Sequence, residues 1–127
     1  KYIPGLDHID ALKEVKNSNL FLLPSLSEGI ANVVLEAMAL GVPVLSTNCG
    51  GMGEVLEDKK NGFLVNIRSP EEIAQRILEI HDYSHEQILC IINNAKTTIQ
   101  DGHLINYQIN EMKNFYSCLI DSHNGFN

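Results

Sequence analysis

Two short runs, "NLFLLPS" (19–25) and "VPVLSTN" (42–48), flank the segment "IANVVLEAMALG" (30–41). This arrangement constrains the fold more than any other feature of the chain. Neither run alternates apolar and polar residues. A continuous apolar run closed by Asn, Pro or Gly is the pattern of a strand covered on both faces. The segment between them reads as a helix that stops at Gly41, a good C-terminal cap, and Pro43 prevents its continuation. Buried strands alternating with helices imply a parallel sheet with helices on both faces.

The rest of the chain extends this pattern. "LDHIDALKEVKNS" places Leu6, Ile9, Leu12 and Val15 at steps of three, a helical stripe. "CGGMGEVLEDKKNG" reads as a glycine-rich turn, a short helix and an Asn-Gly turn, and "GFLVN" as a third strand. Ser69-Pro70-Glu71-Glu72 has Ser at the cap, Pro at the first helical position and acids in the first turn. Ile73, Ile77 and Ile80 form the stripe of that helix. Ser84 opens another, with Ile88, Ile91, Ile92, Ala95 and Ile99 inward, and a last helix carries Ile105, Ile109, Met112, Tyr116 and Leu119. The expected fold is α/β: a Rossmann-like three-layer structure. Three strands make a small sheet, and "KYIPG" reads as the possible end of a fourth. Residues 1–127 are therefore expected to be part of a larger doubly wound domain that lacks its first strands. Whether an open sheet edge in such a piece drives self-association stays open at this point.

Composition excludes several functions. Apolar residues make up 44% of the 127, enough for a core, and no run approaches the ~20 residues of a membrane span. "KYIPGLDHID" lacks the pattern of a signal peptide. The net charge is −7 and the nine basic residues are scattered, with only Lys59 and Lys60 adjacent, so nucleic acid is not an expected partner. The cysteines, Cys49, Cys90 and Cys118, are odd in number and form no CxxC. That argues against a disulfide framework or a zinc site and for a reducing, cytoplasmic location. Cys90 and Cys118 lie in helical patterns and read as small core residues. His81 and His85 have metal-ligand spacing, but Ser84 starts a helix between them and no third ligand is apparent, so no metal is expected. His8, His103 and His123 form no constellation. "NCGGMGE" is not a dinucleotide fingerprint, because the third glycine would fall at Leu56. No Ser-His-Asp arrangement is identifiable, and Ser25 and Ser27 lack a nucleophile elbow.

Open α/β sheets bind ligands beyond the carboxyl ends of their strands. The loop "SLSEG" sits there and carries Glu28, and Gly29 lets the backbone approach a ligand. The amides near Ile30, Ala31 and Asn32 open the following helix and lack intrahelical acceptors, so they suit a sugar hydroxyl or a phosphate oxygen. Glu36 lies about two turns further on and shares a face with Asn32. It is a carboxylate among apolar residues, and a pair of vicinal hydroxyls suits it as acceptor. The plainer alternative is that Asn32 and Glu36 form the narrow wet stripe of this helix. Gly50, Gly51 and Gly53 read as a sharp strand-to-helix turn beside the site, with ligand contact at Gly50 and Gly51 an open possibility. Glu54 reads as an acid favouring its helix dipole.

"EGIANVVLEAMALGVPVLST", "GGMGEVL" and "NGFLV", in this order and spacing, resemble the C-terminal half of retaining, GT-B-fold glycosyltransferases of the large family 4, whose signature is two glutamates separated by seven residues. "NLFLLPS" is similar to that family's strand leading into the site, and "INYQINEMKNFY" to its closing helix. The resemblance implies a nucleotide-diphosphate sugar as substrate, transfer to a glycan or lipid acceptor held by an N-terminal domain, and no cofactor or metal. It implies that Glu28 binds hydroxyls of the donor sugar and stabilises charge at the anomeric carbon. Gly29, Ile30, Ala31 and Asn32 would face sugar and diphosphate, and Glu36 would accept from the ribose hydroxyls. The family's basic diphosphate clamp falls upstream of Lys1, so this chain alone is expected to be inactive. A full-length protein of this kind is expected in the cytoplasm, with a peripheral membrane association open. A sugar-nucleotide epimerase of the same architecture, or a standalone nucleotide-sugar-binding module, are the competing readings.

Overall fold

The structure, a computed structural model, describes residues 3–102. The expected last helix, Cys118, His103 and His123 lie outside the described residues. Three strands, β1 (Phe21–Leu23), β2 (Val44–Thr47) and β3 (Phe63–Val65), form one sheet in the order β1-β2-β3. Both pairings are parallel, with Phe21 opposite Val44 and Leu45 opposite Phe63. The helices are α1 (His8–Lys16), α2 (Asn32–Leu40), α3 (Met52–Val55), α4 (Pro70–His81) and α5 (His85–Gly102).

Alternation along β2 divides the core into two layers. Val44 packs with Val34, Ala37, Met38, Met52 and Val55 from α2 and α3, and with Ala95 and Ile99 from α5. Leu45 points the other way and packs with Phe63, Val65 and Ile91, backed by Ile73 and Ile80 of α4. The two crossovers, through α2 and α3, advance along the sheet in the same direction, so a constant hand puts both helices on one face. α5 serves both layers. The expected three-layer α/β arrangement is thus the observed one.

Local signals account for the helix ends. Gly41 adopts φ 77° at the end of α2, a left-handed cap that only glycine takes without penalty. Pro70 opens α4. Ser84 and Gln87 form a reciprocal capping box at α5: the Ser84 amide donates to Gln87 Oε1 at 2.8 Å and the Gln87 amide to Ser84 Oγ at 3.2 Å.

Four expectations need correction. β1 is half-exposed, with Leu22 open to solvent, because its outer edge has no strand beside it among the described residues. Ile3–Leu6 form no strand. On α1 the stripe is only partly covered: Leu12 and Val15 are half-buried, but Ile9 is 66% exposed, because α1 packs chiefly against α2. Cys90 is exposed, not a core residue: it lies about 100° around α5 from the buried Ile91 and so off the inward stripe. Cys49, in contrast, is buried.

The far edge of the sheet is closed by side chains. Asp58 accepts from the Leu64 amide at 2.9 Å, and Arg76 donates to the Leu64 carbonyl at 3.4 Å and to Asp58 at 3.1 Å.

Candidate functional site

All three strands end on the same side, so the loops 24–31, 48–51 and 66–69 lie together at the carboxyl edge of the sheet. Two buried hydroxyls fix the first loop to the second strand. Ser46 Oγ donates to the Leu23 carbonyl at 3.3 Å, and Thr47 Oγ1 donates to the Ser25 carbonyl. The Asn48 amide donates to the Val65 carbonyl at 2.8 Å, tying the second loop to the third strand.

The glycine-rich turn then presses onto the Glu28 loop. Gly50 has φ 53°, and a β-carbon placed on it would lie 1.6 Å from the Glu28 carbonyl oxygen. A β-carbon on Gly51 would lie 2.9 Å from Ile30 Cγ1 and 3.3 Å from the Ile30 amide nitrogen. These glycines permit the sharp turn, as expected. They also let one loop serve as the floor of the other, which sequence reasoning did not anticipate. Gly29 has nothing within 4 Å of its β-position and faces open space.

The two acids hold separate positions. Glu28 is exposed, with Ser25 Oγ donating to Oε1 at a long 3.4 Å, so its carboxylate is free to meet a ligand. Glu36 lies in the second turn of α2 and is 32% exposed, against 69% for His8, whose Nε2 is 2.8 Å from Glu36 Oε1. An ionised carboxylate only accepts, so Nε2 carries the proton and donates. No hydrogen bond joins Glu28 to Glu36 among the described residues. Glu36 is neither bare nor buried: it has one polar partner and a remaining wet face, and Asn32 is exposed one turn before it.

One placement shifts from the sequence reading. α2 begins at Asn32, with Ala31 as an extended cap residue (ψ 119°), rather than at Ile30. The Val34 and Leu35 amides are taken by the Ala31 carbonyl. The unsatisfied amides of the first turn are therefore those of Asn32 and Val33, while Ile30 and Ala31 belong to the approach. Ala31 supplies no side-chain cap, so these amides are not blocked from within.

The other candidates resolve simply. Glu54 falls in the first turn of α3. His81 closes α4 and His85 opens α5, and the described residues contain no cluster of three or more metal-ligating side chains. A hollow of about 520 Å³ lies between Leu20 and the α4–α5 corner. It sits at the amino end of the strands, opposite the loop that carries Glu28, and is lined by Leu20, Ile77, Ile80 and Ile88 together with polar and aromatic side chains. No described helix is long and apolar enough to cross a membrane.

The sequence profile described as "Glycosyl transferases group 1" matches residues 4–82, more than half of the chain. The chain belongs to this family. It is 27% identical over 107 residues to the UDP-Gal:alpha-D-GlcNAc-diphosphoundecaprenol alpha-1,3-galactosyltransferase of Escherichia coli, covering 84% of this chain and 27% of that protein. Among solved structures, it resembles the C-terminal domain of the group 1 glycosyl transferase LpcC of Francisella tularensis (TM-score 0.68, 24% identity, 83% of this chain and 52% of that one). It also resembles HepE of Anabaena, solved in complex with UDP (TM-score 0.72, 26% identity, 83% of this chain and 29% of that one). The three-stranded parallel sheet with flanking helices matches the Rossmann-like C-terminal domain of these GT-B proteins. This group 1 glycosyltransferase chain spans less than a third of the length of the curated relatives it matches.

Sequence reasoning missed three residues that shape the site. His8 was assigned to no constellation, because its partner lies 28 positions away. Ser46 and Thr47 fall in a run that reads simply as a buried strand; the only signal was two hydroxyls closing an otherwise aliphatic stretch.

Proposed function

We propose that this chain is the donor-binding part of a retaining family 4 glycosyltransferase, one that moves a sugar from a nucleotide-diphosphate sugar to a glycan or lipid acceptor. The observation that carries the reading is the seat of Glu28: its loop is fixed at the carboxyl edge of the sheet by Thr47 and by the close approach of Gly50, with the start of α2 directly behind it. The family membership and the UDP-bound structural relative support it.

In this reading, Glu28 holds hydroxyls of the donor sugar and stabilises the positive charge that grows at the anomeric carbon as the glycosidic bond to phosphate breaks. Gly29 and Ile30 bring backbone close to the sugar. Ala31, Asn32 and the first-turn amides of α2 meet the diphosphate, whose negative charge rises on departure. Glu36 accepts from the ribose hydroxyls. Gly50 and Gly51 shape the floor. No metal has a part in this scheme, and the acceptor is held by the rest of the protein.

The test is transfer of radiolabelled sugar from a panel of nucleotide sugars by the full-length protein. Glu28→Gln is expected to lower kcat more than it raises KM for the sugar donor. The reverse pattern means that Glu28 only holds the ground state. Glu36→Gln replaces a charge-assisted contact with a neutral one and weakens nucleotide binding by about 1 kcal/mol. Unchanged nucleotide affinity removes the ribose assignment. Product of inverted configuration removes retention.

A further inference from the structure

We infer that His8 is a positioning residue for nucleotide recognition: it holds the Glu36 carboxylate in the orientation that reads the ribose. The inference rests on the assignment of Glu36 to the ribose hydroxyls. A glutamate that is one-third exposed on a helix has three side-chain torsions and samples several of them in water. Here one carboxylate oxygen is held by His8 Nε2 at 2.8 Å. The imidazole itself is placed by backbone rather than by packing. Asp7 caps α1, its carboxylate accepting from the Asp10 amide at 2.8 Å, and His8 is the first residue of that helix. α1 in turn lies against α2.

The geometry leaves acceptor capacity where a ribose needs it. His8 uses one lone pair of Oε1. Oε2 and the second lone pair of Oε1 stay free, and two vicinal hydroxyls offer two hydrogens. Glu36 thus meets the nucleotide already fixed, and the ordering that binding otherwise imposes on it is done beforehand. His8 is 69% exposed, so its removal leaves the core untouched.

The experiment is calorimetric titration of the full-length protein with UDP, GDP and ADP, each paired with its 2′-deoxy counterpart, in the His8→Ala, His8→Gln and Glu36→Ala variants. His8→Ala is expected to weaken the ribonucleotide that binds best by roughly three- to tenfold, the cost of one unfixed side chain. It leaves the deoxy form nearly unaffected, so discrimination for the 2′-hydroxyl shrinks. His8→Gln, whose amide can donate to the carboxylate, restores most of it. If His8→Ala leaves discrimination intact while Glu36→Ala abolishes it, the positioning role is wrong and the ribose assignment stands. If neither changes discrimination, the ribose assignment itself is wrong. Equal weakening of both nucleotides, or tighter binding in His8→Ala, overturns the inference: the first marks a general structural effect, the second a histidine that competes with the ribose. Absence of binding by all six nucleotides to the unmodified protein overturns the reading on which it rests.

Discussion

Replacing Gly50 by alanine tests the architecture of the site from its underside. The added carbon would stand 1.6 Å from the Glu28 carbonyl oxygen. A comfortable carbon-to-oxygen approach is about 3.3 Å, so the two loops must separate by about 1.7 Å. Alanine must also adopt the left-handed backbone that Gly50 holds at φ 53°, which costs about 1–2 kcal/mol. The Glu28 loop is exposed and yields more readily than β2, whose four residues are all buried. The strain is therefore relieved by moving Glu28. The protein stays folded, with stability lowered by about 1–3 kcal/mol. The Glu28 carboxylate is displaced by more than the ~1 Å that, in the proposed role, costs about a hundredfold in rate. The assay is kcat and KM for sugar transfer by the full-length protein, run well below its melting temperature so that unfolding does not contribute. Gly29→Ala is the companion variant. Its β-position is open and its backbone is ordinary, so the melting temperature holds, and any loss is read as interference with the sugar donor. A Gly50→Ala protein with undiminished kcat refutes the claim that this contact sets the position of Glu28.

Other perturbations probe the scaffold. Asn61 is buried and makes three bonds, donating to the Val55 carbonyl (2.9 Å) and Thr98 Oγ1 (3.0 Å) and accepting from the Glu57 amide (2.7 Å). Asn61→Ala is expected to cost about 2–4 kcal/mol in urea denaturation, because three partners are stranded. Phe63, fully buried between β2 and α4, is expected to cost about 3–5 kcal/mol as Phe63→Ala through lost transfer energy and a cavity. The Lys59–Glu79 pair gives a pH signature. The hydrogen bond from Lys59 holds the Glu79 carboxyl below its ordinary 4.5, and the same bond holds Lys59 above its ordinary 10.5. The share of Glu79 is full above pH 4.5 and is lost as pH falls through its folded value; the share of Lys59 is full below pH 10.5 and is lost as pH rises through its folded value. Both groups are more than a third exposed, so thermal melts should show small steps at the two ends that vanish in Glu79→Gln and shrink in about 1 M salt.

What was legible in the sequence was whatever one element states about itself. The helix from 32 to 40 announced its end through Gly41 and Pro43, the helix at 70 its start through Pro70, and β2 its burial through a run without apolar-polar alternation. Those signals act through the backbone of the residue that carries them, so they survive being read in isolation. The misread features depend on a neighbour. β1 resembles β2 in composition, and its half-exposure follows from its place at the sheet edge and from what covers it there, neither of which the run itself records. The outer half of the α1 stripe fails for the same reason: a helix packed chiefly against one neighbour leaves much of its apolar stripe uncovered, whatever its periodicity. Within the site the divide is sharper. The placement of Glu28 after a buried strand was visible, but the contact that holds it there joins Glu28 to Gly50, and the one that orients Glu36 comes from His8. No local pattern records a pairing across 22 or 28 residues. A motif of two glutamates can therefore be found by spacing alone, whereas the geometry of its carboxylates is set by residues that the motif does not contain. Sequence searches confined to the motif will accept chains whose glutamates are present but unheld, and the residues at positions 8 and 50 are where those chains should differ from this one.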